Sequence, residues 1–298
     1  MEVWELKQRQ SLPLEAKIKL SLSRIREWYN HWEGSVYISF SGGKDSTVLL
    51  HLVRSLYPKV PAVFVNTGLE YPEIVKFIKT IDNVTWLKPK MNFKDVIDKY
   101  GYPVISKEIA QYIYEIRNTK SEKLRNKRLY GSSKGQGKVS NKWRFLINAP
   151  FKISDNCCYV MKKGPFKKYE KETGNKPLIG MMVSDSRGRF RVYMKNGGCN
   201  AFNTTRPMSN PLMVWLEKDI WEYIRKYNIP YSDIYDMGYH RTGCMFCMFG
   251  VHLEAKPNRF QLMERTHPKF YKYCMENLGC KEVLNYIGIK YLTDRTLF

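Results

Sequence analysis

Val36-Tyr37-Ile38-Ser39-Phe40-Ser41-Gly42-Gly43-Lys44-Asp45-Ser46-Thr47 is the stretch whose reading decides the fold. Its first five residues make an apolar run. From Asp45 onward, Val48, Leu49, Leu52, Val53 and Leu56 recur at helical spacing. The pattern predicts a strand over Val36–Phe40, a turn at the paired glycines and a helix from Asp45. Two glycines let the backbone fold tightly and aim several N–H groups at one point. The helix start adds its own N–H groups and the positive end of its dipole. Lys44 contributes a full charge, and Ser41 and Ser46 contribute hydroxyls. The expected ligand is a polyphosphate, with a plain solvated turn as the alternative.

The same alternation continues downstream. Strand Ala62–Asn66 runs into Thr67-Gly68-Leu69-Glu70 and a helix over Pro72–Thr80; Val84–Leu87 reads as a third strand, and Asn92–Tyr100 as another helix. This rhythm predicts an α/β fold, a parallel sheet covered by helices on both faces. Ligands of such sheets bind beyond the carboxyl ends of the strands. Thr67 and Gly68 are therefore candidate nucleotide contacts, an ordinary strand-to-helix turn being the alternative. Further on, Pro177–Gly180 reads as a strand, and Pro211–Trp215 leads into a helix over Glu217–Tyr227. Upstream, Ser11-Leu12-Pro13 predicts a helix start with Ser11 as its cap, followed by Leu14, Ile18, Leu22 and Ile25 on one face. The expected division is an N-terminal helical segment 1–33, a nucleotide-binding α/β domain 34–235 and a C-terminal region 236–298.

Composition narrows the class. The chain has 298 residues, 43% of them apolar, enough for one large core or two smaller ones. No apolar run approaches a bilayer span. The N-terminus lacks the basic-then-apolar layout of a signal peptide, so the expected address is the cytoplasm. There the seven cysteines should be thiols or metal ligands. Lys and Arg outnumber Asp and Glu by 50 to 28, a net charge of +22, which favours phosphate-rich partners. From Arg117 to Arg144, ten basic residues face one acid, Glu122. Gly131, Ser132, Ser133, Gly135 and Gly137 are read as breaking any helix there. The expectation is a basic, mobile inserted loop (117–144), with Lys123, Arg125, Lys127 and Arg128 as nucleic-acid contacts. Tyr130 and Trp143 stand available for base stacking. A merely solvated loop is the alternative.

Cys244-Met245-Phe246-Cys247 is a CxxC whose thiolates can reach one metal or cluster. Cys157-Cys158 is a second pair, and adjacent cysteines do not easily form a relaxed disulfide. Four thiolates suit zinc as well as iron–sulfur; two core thiols are the metal-free alternative.

These motifs carry a resemblance. The Ser41–Ser46 hexapeptide is not a Walker loop, which needs four residues between its glycines. It resembles the pyrophosphate-binding loop of the PP-loop (N-type) ATP pyrophosphatases. Together with Cys157-Cys158 and Gly238-Tyr239…Gly243-Cys244-x-x-Cys247, it resembles the iron–sulfur branch of the phosphoadenosine phosphosulfate (PAPS) reductase family. Trp215–Ile224, Ile229-Pro230 and Tyr235 extend the likeness, and Ser186-Arg187 resembles the family's substrate-loop pair. The resemblance implies an adenine nucleotide alpha hydrolase-like fold. It implies ATP at Ser39, Ser41, Gly42, Gly43, Lys44, Asp45 and Ser46, with Mg²⁺ on Asp45 unless that residue caps the helix. It implies catalytic roles for Lys44, Asp45, Ser186 and Arg187. It also implies a [4Fe-4S] cluster on Cys157, Cys158, Cys244 and Cys247. Cys199 is a substitute ligand or persulfide carrier by the same logic, while Cys274 and Cys280 are expected to pack in a C-terminal helical region.

Two departures shape the functional expectation. The family's sulfonucleotide reductases carry a nucleophilic cysteine in a C-terminal tail, whereas Leu292–Phe298 has none and Leu278-Gly279-Cys280-Lys281 does not match. Those reductases usually have a degenerate loop without lysine, whereas Lys44 is present. The leading expectation is an ATP-dependent sulfurtransferase, forming AMP and pyrophosphate, that adenylates an acceptor, nucleic acid by preference. It would draw on a sulfur donor such as a cysteine desulfurase. A sulfonucleotide reductase forming sulfite is the runner-up, and a sulfate adenylyltransferase subunit comes third. The non-enzyme alternative is an iron–sulfur nucleic-acid-binding regulatory module. Acceptor, donor and any homo-oligomeric state are left open.

Overall fold

The structure, a computed structural model, describes residues 2–292. The tail noted above for lacking a cysteine lies, from residue 293, outside the described residues. Backbone proximity divides the chain into two units. The first comprises Met1–Asn66, Pro72–Leu87 and Phe166–Ile234; the second comprises Thr67–Tyr71, Lys88–Pro165 and Tyr235–Phe298. This grouping differs from the linear division expected. The N-terminal helices belong with the sheet, and the basic insertion belongs with the CxxC.

The strands, in chain order, are β1 (Val36–Ser39), β2 (Ala62–Val65), β3 (Val84–Leu87), β4 (Val104–Ile105), β5 (Lys176–Ile179), β6 (Asn200–Ala201), β7 (Met208–Ser209) and β8 (Met248–Phe249). Six of them form the sheet of the first unit, in the order β3-β2-β1-β5-β7-β6. All pairings are parallel except β6 with β7. Successive side chains of a strand point to opposite faces. Val36, Tyr37 and Ile38 of β1 are all buried, as is every residue of β2. Both faces of the sheet centre are therefore covered, and the strands read as unbroken apolar runs. Helix Lys44–Leu56 buries Val48, Leu49, Leu52 and Val53, the stripe expected from sequence.

The N-terminal region differs from expectation at Ser11. Val3–Ser11 is itself a helix, and the next one, Leu14–His31, starts after Pro13. Ser11 thus ends one helix, its Oγ donating back to the Gln8 carbonyl at 2.9 Å. Pro13, extended at φ −63°, makes the break.

In the second unit, β4 and β8 pair in parallel, Val104 with Met248 and Ile105 with Phe249. Gly250 N donates to the Ile105 carbonyl at 2.8 Å. This short ladder anchors the chain as it leaves Cys247. The basic insertion is not a helix-free loop, so that expectation is corrected. Helix Glu122–Tyr130 forms, capped by Ser121, and ends at Gly131, whose φ of +98° suits glycine. The remaining glycines only shape the turn that follows. That turn is tied by its own hydrogen bonds: Ser132 N to Gln136 O at 2.8 Å and Val139 N to Arg128 O at 2.9 Å. Among the described residues, no helix is long and apolar enough to cross a membrane.

A buried ion pair joins helix Leu14–His31 to helix Glu217–Lys226 within the first unit. Lys17 Nζ lies 2.6 Å from Asp219 Oδ2, with side chains 1% and 3% exposed. The same carboxylate accepts from Leu216 N at 2.7 Å, at the start of helix Glu217–Lys226. Removing one partner strands a buried charge. Lys17→Ala should therefore cost about 3–5 kcal/mol in urea unfolding. Combining Lys17→Met with Asp219→Leu should recover part of that loss. An unchanged midpoint for Lys17→Ala would show that water reaches the carboxylate.

Candidate functional site

The strand–turn–helix of the first unit sets the six residues of the candidate anion site close together. Gly42 takes φ +71°, and a Cβ there would stand 2.8–3.0 Å from Ile78 and Ile74 side-chain atoms. Only glycine fits, by conformation and by space. Gly43 occupies the N-cap position without any side-chain cap bond. Asp45 therefore sits in the first turn rather than capping the helix. The hydroxyls fix the turn: Ser41 N donates to Ser46 Oγ at 3.2 Å, the two serine hydroxyls lie 3.1 Å apart, and Ser46 Oγ donates to Gly43 O at 2.9 Å. Gly180, at the end of β5, closes the other side, where a Cβ would meet the Asp45 carbonyl oxygen at 3.0 Å. Ser39 lies on β1, in register with Val63 and Ile179.

Lys44 is the charge of this site. Its side chain is 7% exposed, and Nζ lies 3.2 Å from Glu217 Oε1 and 3.9 Å from Asp45 Oδ1. Glu217 is the residue that sequence reading missed. It opens helix Glu217–Lys226, far along the chain from Lys44, and no local pattern couples the two. Ser186 and Arg187 are both exposed in the same unit. Ser186 caps helix Arg187–Asn196 through its Oγ, which accepts from Arg189 N at 3.2 Å. Cys199, 5% exposed, belongs to this unit too; burial pushes its thiol up to about 11. A thiol held protonated is a poor nucleophile or ligand.

The second unit holds the other cysteines. Cys157 and Cys158 open a short helix that widens into a π-turn over Tyr159–Lys163, a distortion frequent at functional sites. Cys157 Sγ donates to Cys158 Sγ at 4.0 Å. That bond, reinforced by the charges of Lys107, Lys162 and Lys163, lowers the Cys158 pKa and leaves Cys157 protonated. Burial raises Cys244 and pushes Cys247 up to about 12. The four thiols lie close enough that charge on Cys158, Cys247 and Cys244 further opposes ionisation of Cys157. Lys162 hydrogen-bonds Cys244, whose charge raises the lysine pKa against burial, with Glu70 adding at 3.6 Å. Four thiols beside several cations are a donor set suited to an anionic four-thiolate group. Among the described residues, no three His, Cys, Asp or Glu side chains converge as ligands of one ion. Cys274 and Cys280 are buried in the C-terminal helices, as expected.

Thr67 and Gly68 fall in this second unit. The Thr67 hydroxyl and N–H bind the Glu70 carboxylate at 2.8 and 3.0 Å, so its polar groups hold the turn. Met245 N donates to the Leu69 carbonyl at 2.8 Å, fastening this turn to the CxxC. Of the four basic residues expected at nucleic acid, Lys123, Arg125 and Lys127 are exposed. Arg128 is committed elsewhere, paired with Glu115 and lying 4.0 Å over the Tyr112 ring.

The phosphoadenosine phosphosulfate reductase domain matches this chain over residues 35–104 and 104–249. The chain belongs to that family. Its PP-loop, cysteine pairs and parallel sheet are thus parts of one inherited domain. An uncharacterised protein of Methanocaldococcus jannaschii is 24% identical over 266 residues, covering 87% of this chain and 52% of that protein. The chain spans about half the length of that relative. The adenosine 5'-phosphosulfate reductase of Geobacillus kaustophilus is 24% identical over 245 residues, covering 82% and 86%. A crystal structure of phosphoadenylyl-sulfate reductase from Candida auris, in phosphate complex, overlaps with a TM-score of 0.47 at 15% identity, covering 82% of this chain and 96% of that one.

Within the PAPS reductase domain, the Lys44–Glu217 pair makes a direct prediction. An anion taking up Lys44 competes with Glu217, whose side chain is 57% exposed. Glu217→Gln should therefore tighten pyrophosphate binding several-fold, the scale of one partly screened ion pair. Calorimetric titration at low salt measures it. Equal or weaker binding by the variant would show that Glu217 does not compete for Lys44.

Proposed function

We propose that the chain is an ATP-dependent sulfurtransferase that adenylates an acceptor, nucleic acid by preference. One observation carries this reading: an intact PP-loop whose lysine is held, nearly buried, at the glycine turn. A ligand with a β–γ pyrophosphate makes use of that charge; a sulfonucleotide lacks one. An acceptor oxygen attacks the α-phosphate, the α–β bond breaks, and pyrophosphate leaves with the electron pair. Lys44 and the loop amides stabilise the charge building on it, and Asp45 is the proposed Mg²⁺ ligand. Sulfide would then attack the activated centre, its bond to sulfur forming as the bond to the AMP oxygen breaks and AMP leaves. Ser186 and Arg187, exposed in the same unit, are the proposed contacts for the acceptor or the α-phosphate. Thr67 and Gly68 stay as proposed nucleotide contacts through the turn that Glu70 holds.

Cys157, Cys158, Cys244 and Cys247 are the proposed holders of a [4Fe-4S] cluster, and Lys107 and Lys162 would balance its charge. Such a group, when bound, supplies a place to carry sulfide. Anaerobically purified protein should be brown, with about four irons per chain. Stoichiometric zinc without labile sulfide would replace this assignment with a zinc site.

A second reading has its own support, since relatives of this length are named adenosine 5'-phosphosulfate reductases. The two part on products. The sulfurtransferase releases pyrophosphate from ATP; the reductase releases sulfite from adenylyl sulfate and a thiol. Lys44→Ala should lower pyrophosphate release by about 10²–10³, the scale of losing one donor to developing charge, with the fold intact. Sulfite formation that is insensitive to Lys44→Ala would decide for the reductase.

A further inference from the structure

We infer that the insertion between Arg117 and Arg144 is a base-stacking surface for single-stranded nucleic acid. This deepens the nucleic-acid acceptor reading above and rests on it. The structure divides the ten cations of the stretch into two kinds. Arg117 donates to the carbonyls of Leu146, Ile147, Ala149 and Phe151 at 2.7–2.9 Å. Arg128 pairs with Glu115, lies over Tyr112 and donates to Gly137 O at 3.1 Å. These two fasten the insertion to its own unit. The other eight are all exposed, and Glu122 is the single acid among them.

Helix Glu122–Tyr130 buries no side chain at all. A nine-residue helix with no fully buried side chain gains little from a core of its own; the Ser121 cap and Arg128, set against Glu115 and Tyr112 of the preceding helix, hold it. What the ordering achieves is presentation: Lys123 and Lys127 stand out from one short rod, and Arg125, also exposed, donates to the Thr119 carbonyl at 2.8 Å. Aromatic rings accompany the charges. Tyr130, the last residue of the helix, is 66% exposed, and Phe145, one residue past the stretch, is 42% exposed. Trp143 lies between them in sequence, its ring 4.9 Å from Lys142 Nζ and 6.1 Å from Phe145. Charges alone serve duplex and single strand alike. Exposed rings add affinity only where bases are unstacked, because a duplex hides its base faces.

The test uses the full chain and fluorescence anisotropy with a labelled single strand, DNA and RNA in turn, and with the duplex of the same sequence. The parent should prefer the single strand by on the order of tenfold, the scale of one stacked base. Tyr130→Ala, at a ring that packs least, should reduce that preference severalfold, and adding Phe145→Ala should remove it while duplex binding holds. Neutralising Lys123, Arg125, Lys127 and Lys134 together with Gln should weaken both ligands and flatten the single-strand salt slope by about 3. Thermal midpoints and ATP binding should match the parent in every variant. Equal affinity of the parent for both ligands, no binding to either at low salt, or parent-like binding by the double aromatic variant overturns the inference. Pyrophosphate release by the same samples separates the two claims. If release persists and depends on Lys44 while the strand preference is missing, the stacking surface alone falls. If release is missing while single strands bind through Tyr130, the ATP reading falls and the surface stands.

Discussion

The tight turn at Gly42-Gly43 is the constraint on which the rest of the first unit depends. Gly42 is held at positive φ with Ile74 and Ile78 against it, and Gly180 presses from the end of β5. A side chain at Gly42 meets both a strained backbone and a filled space. That double exclusion lets β1 stop at Ser39 and the helix begin at Lys44, only a few residues later. It also fixes where Lys44 starts its reach. Strand order follows the same need. β1 sits inside the sheet, between β2 and β5, so the loop leaves from a strand paired on both edges.

Much of this was legible in sequence because two-faced burial writes itself as apolar runs. β1, β2, β3 and β5 fall within one residue of their expected limits, and the buried stripe from Val48 to Val53 is the one expected. Where burial leaves no pattern, the reading failed. Helix Glu122–Tyr130 has no buried face, so its glycine- and serine-rich sequel dominated the expectation. β6 and β7 are two residues each, too short for a period to show. The helix before Pro13 leaves no such signal, because a proline fits the start of one helix as well as the break between two.

The site was legible in part for a related reason. Local motifs announce themselves, which is why Ser41–Ser46 and the two cysteine pairs stand out in the sequence as candidates. Glu217, Glu70 and Lys162 act through distant contacts and carry no signature of their own. Thr67 shows the limit of the local view. Its hydroxyl is bound to Glu70 three residues on, a side-chain turn of the kind threonine favours generally, and the sequence alone does not announce that partner.

The large positive charge is not a uniform coat. Lys17 faces Asp219 in the core, Arg117 gathers backbone carbonyls, and Arg128 faces Glu115. At each candidate site one lysine is matched by a glutamate: Lys44 by Glu217 and Lys162 by Glu70. Each glutamate holds its lysine's ammonium in place before an anion arrives. Glu217 is half exposed and can return to water, so exchanging it for a phosphate costs little. Glu70 is 4% exposed at its side chain and also holds Thr67, so it stays in place. The first arrangement suits a ligand that comes and goes, and the second a group that remains. That difference in burial fits the two proposed roles, an exchanging nucleotide at Lys44 and a resident group beside Lys162.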